Sequence, residues 1–147
     1  MAHYAVLDDD NVVIEVLTGM DEDDTDNLPE GYDDWESYYS SVRDNKTVVR
    51  TSYNTRDGVH YEPNSDEPSE TQEKALRGNY AGVDWVYLPD EDIFLPPKRY
   101  YYFVPDIANF VWKPPVDKPN DTDNFYWDDN TYQQDNTTGW LIVPDPE

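Results

Sequence analysis

Carboxylates are the side chains present in sufficient number to suggest chemistry: the chain carries 33 Asp and Glu against 10 Lys and Arg. Two of them at a suitable separation would make a glycosidase-like acid/base pair. With so many acids, the closeness of any two says little, and a solvated acidic surface is the simpler reading. His3 and His60 fall in separate stretches of strand character and read as ordinary strand residues. Cysteine is absent, which removes thiol nucleophiles, disulfides and Cys-ligated metals. Walker and Rossmann glycine loops are missing, and six glycines leave little material for a phosphate cradle. These residue types predict a non-enzyme, with no catalytic residue and no cofactor.

Metal binding fares no better. Asp21-Glu-Asp-Asp-Thr-Asp26 opens like an Asp-rich calcium loop. An EF-hand needs Gly at its sixth position and Glu at its twelfth; here those positions hold Asp26 and Tyr32. No metal ligands are assigned, and weak, irregular divalent-cation binding there and at 117–123 stays an open alternative. The Asn45, Asn120 and Asn136 sequons are read as coincidental, because the N-terminus lacks the basic-then-apolar pattern of a signal peptide.

Positioning elements follow from periodicity. Tyr4, Val6, Val12, Ile14 and Val16 alternate around Asp8-Asp-Asp-Asn11, which predicts a β-hairpin over residues 2–18. From Asp21 to Glu36 there are nine carboxylates and no base, the pattern of a mobile, solvated loop. Trp35, Tyr38, Tyr39 and Val42 share one helical face, so a helix is predicted over 33–43, capped by Asp33 or Asp34, with Arg43 at its negative end. It should pack on the N-terminal hairpin. Val48, Val49, Thr51 and Tyr53 form a strand leading to the Asp57-Gly58 turn, with Val59–Tyr61 returning. Residues 62–74 read as a Pro/Glu linker or excursion, and 70–77 as two helical turns stopped by Gly78.

Residues 79–115 then write one small pattern twice. The first copy holds Tyr87, Pro89-Asp90, Phe94 and Pro96-Pro97; the second holds Phe103, Pro105-Asp106, Phe110 and Pro114-Pro115. Asp90 to Asp106 and Phe94 to Phe110 are each 16 apart, whereas the Pro-Pro pairs are 18 apart, so the second copy carries two extra residues, Trp112-Lys113. Each copy predicts a tight hairpin with a Pro-Asp turn, sealed by prolines that cannot continue a ladder. A third, looser hairpin is predicted from Phe125–Trp127 and Gly139–Val143. The fold class is therefore mainly β with one short amphipathic helix. An N-terminal hairpin-helix-strand unit (1–61) and an acidic Pro/Glu segment (62–78) precede an aromatic hairpin-repeat region (79–147), with one domain overall as the alternative to separate units.

A short hairpin cannot bury its own face. Its rings need the rest of the domain or another molecule, and Tyr and Trp suit interfaces. Trp85, Tyr87, Phe94, Tyr100, Tyr101, Tyr102, Phe110 and Trp112 are taken as containing the interface anchors, about half of them buried internally by strand alternation. A net charge of −23 offers no large basic patch to nucleic acid or anionic lipid. Neither is expected as a direct partner.

Three segments, Arg50–His60, Asn79-Tyr-Ala-Gly-Val83 and Phe94-Leu-Pro-Pro-Lys98, appear in order with the opening Ala2–Asp8 and the Asp34–Tyr39 helix. Together they resemble a family of small acidic proteins of tailed phages of marine bacteria, of the cyanophage type. The sequence departs from that pattern in its longer acidic excursion at 62–74 and its expanded region after Asp117. The resemblance brings no functional residues with it. It implies a phage product that is part of the particle, without saying which part. The expected location is the virion, after synthesis in the host cytoplasm; the expected partners are the major capsid protein or other virion proteins, with the chain as a homo-oligomer or in many copies in an assembly. A capsid decoration or cement protein on the particle exterior is the leading expectation, and a neck or tail accessory protein the second. A DNA mimic that blocks a host DNA-binding protein would need evenly spaced carboxylates, whereas the charge is −14 over residues 1–68 and −9 over 69–147. A carbohydrate-binding module contacting the host surface is the remaining alternative.

Overall fold

The computed structural model describes residues 1–144 and 146. The protein is mainly β, built from small antiparallel units. Strands β1 (Ala2–Leu7), β2 (Val13–Gly19) and β3 (Val48–Thr51) form a three-stranded sheet in the order β2-β1-β3. The predicted N-terminal hairpin is present: Asp8 Oδ1 accepts the Asp10 and Val12 amides, and Asn11 takes the left-handed conformation that closes the turn.

Strand alternation makes β1 the centre of three layers. Ala2, Tyr4 and Val6 face one core with Leu17, Val48 and Trp35. Ala5 and Leu7 face the other with Val13, Val49, Ala81 and Phe94. Helix α1 (Trp35–Ser41) covers the first face, and the hairpin of β6 (Val86–Leu88) and β7 (Ile93–Leu95) covers the second. Asp34 caps α1 by accepting the Ser37 amide at 2.7 Å, and hydrogen bonding from the Ser37 side chain and amide holds its carboxyl below the usual range. Trp35, Tyr38 and Tyr39 pack inward as predicted, but Val42 caps the helix and is exposed. Arg43 leaves the helix end and pairs with Glu15 instead.

The acidic loop is held at two points. Leu28 packs on the first core, and the Trp35 indole donates to the Asp24 carbonyl at 2.9 Å. The carboxylates of Asp21, Asp23 and Asp26 lie in solvent while the chain between them is tied down.

Two predicted pairings are corrected. The strand after the helix does not pair with Val59–Tyr61; it joins β1, with Ala5 opposite Val49. The Asp57-Gly58 turn instead closes a minimal hairpin of β4 (Thr55–Arg56) and β5 (Val59–His60). The reason is burial: Val48 finds the first core and Val49 the second through β1, which two residues of β5 cannot offer. Residues 70–77 form turns, not helix. The Gln72 amide there bonds the backbone N–H and C=O of His60 and the Ser69 carbonyl, competing with helical hydrogen bonds.

The repeat is real but its period differs from the one the aromatic spacing suggested. Strands β8 (Val104–Asp106) and β9 (Val111–Lys113) lie 18 residues after β6 and β7, the same spacing as the Pro-Pro pairs. Trp112 is thus the equivalent of Phe94. Pro89-Asp90 occupies the first turn, whereas Pro105-Asp106 lies within β8, and the second turn is a 3-10 turn over Ile107–Asn109. The third hairpin pairs β10 (Phe125–Trp127) with β11 (Trp140–Ile142) as predicted. Between them lies an unpredicted second helix, α2 (Asp129–Gln134), capped by Asp128 through the Thr131 amide and hydroxyl.

A charge cluster sits under α1. Glu36 accepts the Arg50 amide at 3.3 Å, Arg50 pairs with Glu22, and Arg77 pairs with Asp92 and donates to the Arg50 carbonyl. Burial pushes the Glu36 carboxyl up, against the opposing pull of Arg77 and the Arg50 amide. A carboxyl with a raised folded pKa binds its proton more tightly in the folded state. Its contribution is present at acid pH and is lost as pH rises through the folded value. Glu36→Gln keeps an acceptor for Arg50 without the charge. It is expected to raise the thermal midpoint at pH 7 and to match the parent below the ordinary carboxylate range. Melts from pH 3 to 8 check this; a lower midpoint at pH 7 would contradict it.

Candidate functional site

The predicted anchors separate into three groups. Phe94 is fully buried in the second core, so it is no surface anchor and belongs to the half expected inside: the alternation of β7 turns it onto Ala5 and Leu7. Trp85, Tyr87 and Phe110 are half-buried and occupied by internal partners. Trp85 packs on the second core and over Gly82; Tyr87 packs against Phe94, and its hydroxyl donates to Asp92. Phe110 is wedged against the backbone of Gly58 and Gly78.

Tyr100, Tyr101, Tyr102 and Trp112 form the third group, which the structure brings together. Tyr101 is 77% exposed and stands edge-on to Tyr102, whose other neighbour is Tyr132 of α2. Asp129 fixes this corner: its carboxylate accepts the Tyr101 amide at 3.0 Å and the Trp127 indole at 2.6 Å. Tyr100 packs on Phe103, which meets Trp127, the buried centre of the C-terminal unit. The rings therefore stand on a small rigid base of their own.

Cations lie among these rings. Lys98 Nζ is 5.1 Å from the Trp112 ring centre and 5.7 Å from that of Tyr101. Arg99 lies 5.4 Å from Tyr100, and Lys118 lies 5.7 Å from Trp140. Arg43, Arg50, Arg56 and Arg77 are spent on ion pairs. Among the described residues, Lys98, Arg99, Lys113 and Lys118 have no such pair. Residues 98–118 hold these four bases against Asp106 and Asp117, an excess of positive charge in a chain of −23. The interleaving was readable in Lys98-Arg-Tyr-Tyr-Tyr102 but was hidden by the whole-chain charge.

Each Trp on a returning strand fastens its hairpin to the proline segment before it. The Trp112 indole donates to the Pro96 carbonyl and the Trp140 indole to the Val116 carbonyl, both at 2.7 Å. Exposed apolar residues that the sequence reading missed, Tyr126, Ile142 and Val143, lie on the third hairpin.

A second feature unites the histidines. His3 and His60 line one open groove, although they are far apart in sequence. His3 stacks on Tyr53 at 5.3 Å and meets Tyr80 edge-on at 5.6 Å. Burial and the nearby N-terminal ammonium lower its pKa, which keeps the ring neutral at pH 7. His60 Nδ1 lies 2.7 Å from the Ser69 hydroxyl. Pairing of β3 with β1 sets His3 opposite Thr51, and the β4–β5 hairpin returns His60 to the same groove, a meeting that no local pattern reports. Among the described residues, no group of three or more His, Asp or Glu is arranged to hold a metal ion, and no helix is long and apolar enough to cross a membrane.

Comparison with protein-family models, with curated proteins and with solved structures finds no match for this chain.

Proposed function

We propose that this protein is a docking component of a tailed-phage particle, a decoration or cement protein on the capsid exterior. The observation that carries the docking role is the aromatic and cationic face of residues 98–118. Its rings are held from beneath by Trp127 and Asp129, while Tyr101 remains largely outside. Rigid Tyr and Trp rings bring contact area at low entropic cost, and central anchors dominate interface energies. The phage setting rests on the sequence resemblance. Lys98, Arg99, Lys113 and Lys118 favour a partner surface that is acidic and partly apolar. The surrounding carboxylates would repel strongly acidic partners elsewhere on the surface, so they direct contact to this face.

Quantitative mass spectrometry of purified particles tests the assignment. Copies on the order of hundreds per particle are expected for a capsid protein, whereas about six or twelve would move it to the neck or tail. Absence from particles despite expression in infected cells would remove the reading. In the same assay, Tyr101→Ala with Lys98→Ala is expected to lower incorporation at least tenfold without altering the fold, because both side chains are exposed.

A further inference from the structure

Three depressions meet at one residue. The groove lined by His3, His60, Arg50 and Lys74 has a volume of about 540 Å³. A second, of about 460 Å³, runs along Glu62–Pro63 and Ser69–Thr71. A third, of about 610 Å³, runs along Arg56, Asn64–Asp66 and Tyr80. Asn54 lines all three, and Tyr53 stands between the first and the third. They are lobes of one branched groove, and each is within the usual size of a small-ligand site.

Tyr53 is 63% exposed although His3 stacks on it and Tyr80 meets it edge-on. Those contacts fix the ring while leaving most of it open, which is the requirement for a stacking platform. Around it the lining is polar and planar: the side-chain amides of Asn54 and Asn64, the guanidinium of Arg56 and the carboxylate of Asp66. Arg56 is itself oriented, stacked at 3.7 Å over Tyr61 and bonded to Asp66 at 2.7 Å. Among the described residues, the side chains of Asn54, Asn64 and Lys74 make no hydrogen bond or ion pair, so their donors and acceptors are available to a ligand.

We infer that this groove binds a neutral oligosaccharide, with one sugar ring stacked on Tyr53 and its neighbours hydroxyl-bonded along the lobes. The chemistry selects that class. A pyranose offers an apolar C–H face to an aromatic ring and a rim of hydroxyls that donate and accept. An anionic polymer would meet Asp21, Asp23, Asp24, Asp66, Glu62 and Glu70. An extended peptide would need a free strand edge, but at Arg50 of β3 the amide bonds Glu36 and the carbonyl accepts Arg77. This site is separate from the 98–118 face, so the inference stands or falls independently of the proposed particle role.

A glycan array followed by titration of ¹⁵N-labelled full-length protein with cello-, malto- and chitohexaose tests it. At least one neutral glycan is expected to bind in the micromolar to millimolar range, shifting the amides of Tyr53, Asn54 and His60. Tyr53→Ala is expected to weaken binding at least tenfold, and Tyr101→Ala to leave it within twofold. Absence of any neutral ligand, exclusive binding of sulfated or other anionic glycans, or binding indifferent to Tyr53→Ala overturns the inference. Should Tyr53→Ala disturb the fold, the shift map on the parent protein decides: perturbation centred on Asn54 supports the groove, and perturbation centred elsewhere refutes it.

Discussion

Replacing Asn79 with alanine is expected to destabilise the protein by about 3–4 kcal/mol, the sum of one fully buried and two partly buried groups left without partners. Asn79 is buried, and its side chain joins three separate pieces of chain. Its Oδ1 accepts the Asp57 amide at 2.9 Å in the β4–β5 turn. Its Nδ2 donates to the Phe94 carbonyl at 2.9 Å and to the Phe110 carbonyl at 3.3 Å, one in each of the next two hairpins. Its own carbonyl accepts the Thr51 hydroxyl, which in turn accepts the Ala81 amide. No other side chain supplies both an acceptor and two donors in one plane at this volume. Asn79→Asp should be worse than its small change in shape suggests, because an oxygen would then face two carbonyls. Urea denaturation followed by tryptophan fluorescence measures both. A loss below about 1 kcal/mol for Asn79→Ala, the size of one ordinary hydrogen bond, would show that the three pieces are held by something else.

The second large effect concerns the neighbouring glycines. Gly78 has φ of +77°, and a Cβ there would lie 2.4 Å from the Phe110 ring; Gly58 has φ of +81° and a Cβ-to-ring distance of 2.6 Å. The Gly58 amide also bonds the Gly78 carbonyl at 2.7 Å, so the Asp57-Gly58 turn and the bend at Gly78 form one backbone seat for the ring. Gly78→Ala is expected to cost about 2–4 kcal/mol, of which about 1 is the left-handed backbone and the rest the displaced ring. A double-mutant cycle separates the two parts. In a Phe110→Ala background the overlap disappears, so Gly78→Ala should cost only about 1 kcal/mol there, a coupling of more than 1 kcal/mol. Additive costs would mean that Phe110 moves aside freely and the seat has no energetic content.

Those two sites mark the limit of what local sequence patterns carry. The Asp8–Asn11 turn, the Asp34 cap and the β6–β7 hairpin were legible because their signals lie within a few residues of one another. The capping of α2 by Asp128 was equally local, but the helix is short and lies between two strands, so hairpin composition masked it. Pairing of β3 with β1 was not legible, since a four-residue strand carries no address for its partner. The repeat was recognised with the wrong register. Matching Phe94 to Phe110 satisfied composition, yet Phe110 has a left-handed backbone and seals the glycine seat, while Trp112 takes the equivalent strand position. The prolines, which fix where a ladder must stop, were the better ruler. At the candidate site, aromatic type alone could not separate buried Phe94 from exposed Tyr101. Neighbouring charge does so, because Lys98 and Arg99 flank the rings that remain outside.

The two indole bonds, from Trp112 to Pro96 and from Trp140 to Val116, have a consequence for how such a chain can change over generations. Each hairpin after the first is closed by its own turn and hooked to its predecessor through an indole on the returning strand and a carbonyl just after a turn or proline stop. The central sheet contributes nothing to these hooks. The third hairpin, hooked to Val116, could therefore be duplicated or exchanged without recutting the core of residues 2–51, whereas the second is also tied down through Phe110 on the glycine seat. The end of the hairpin row is free to vary while the part that folds it stays constant.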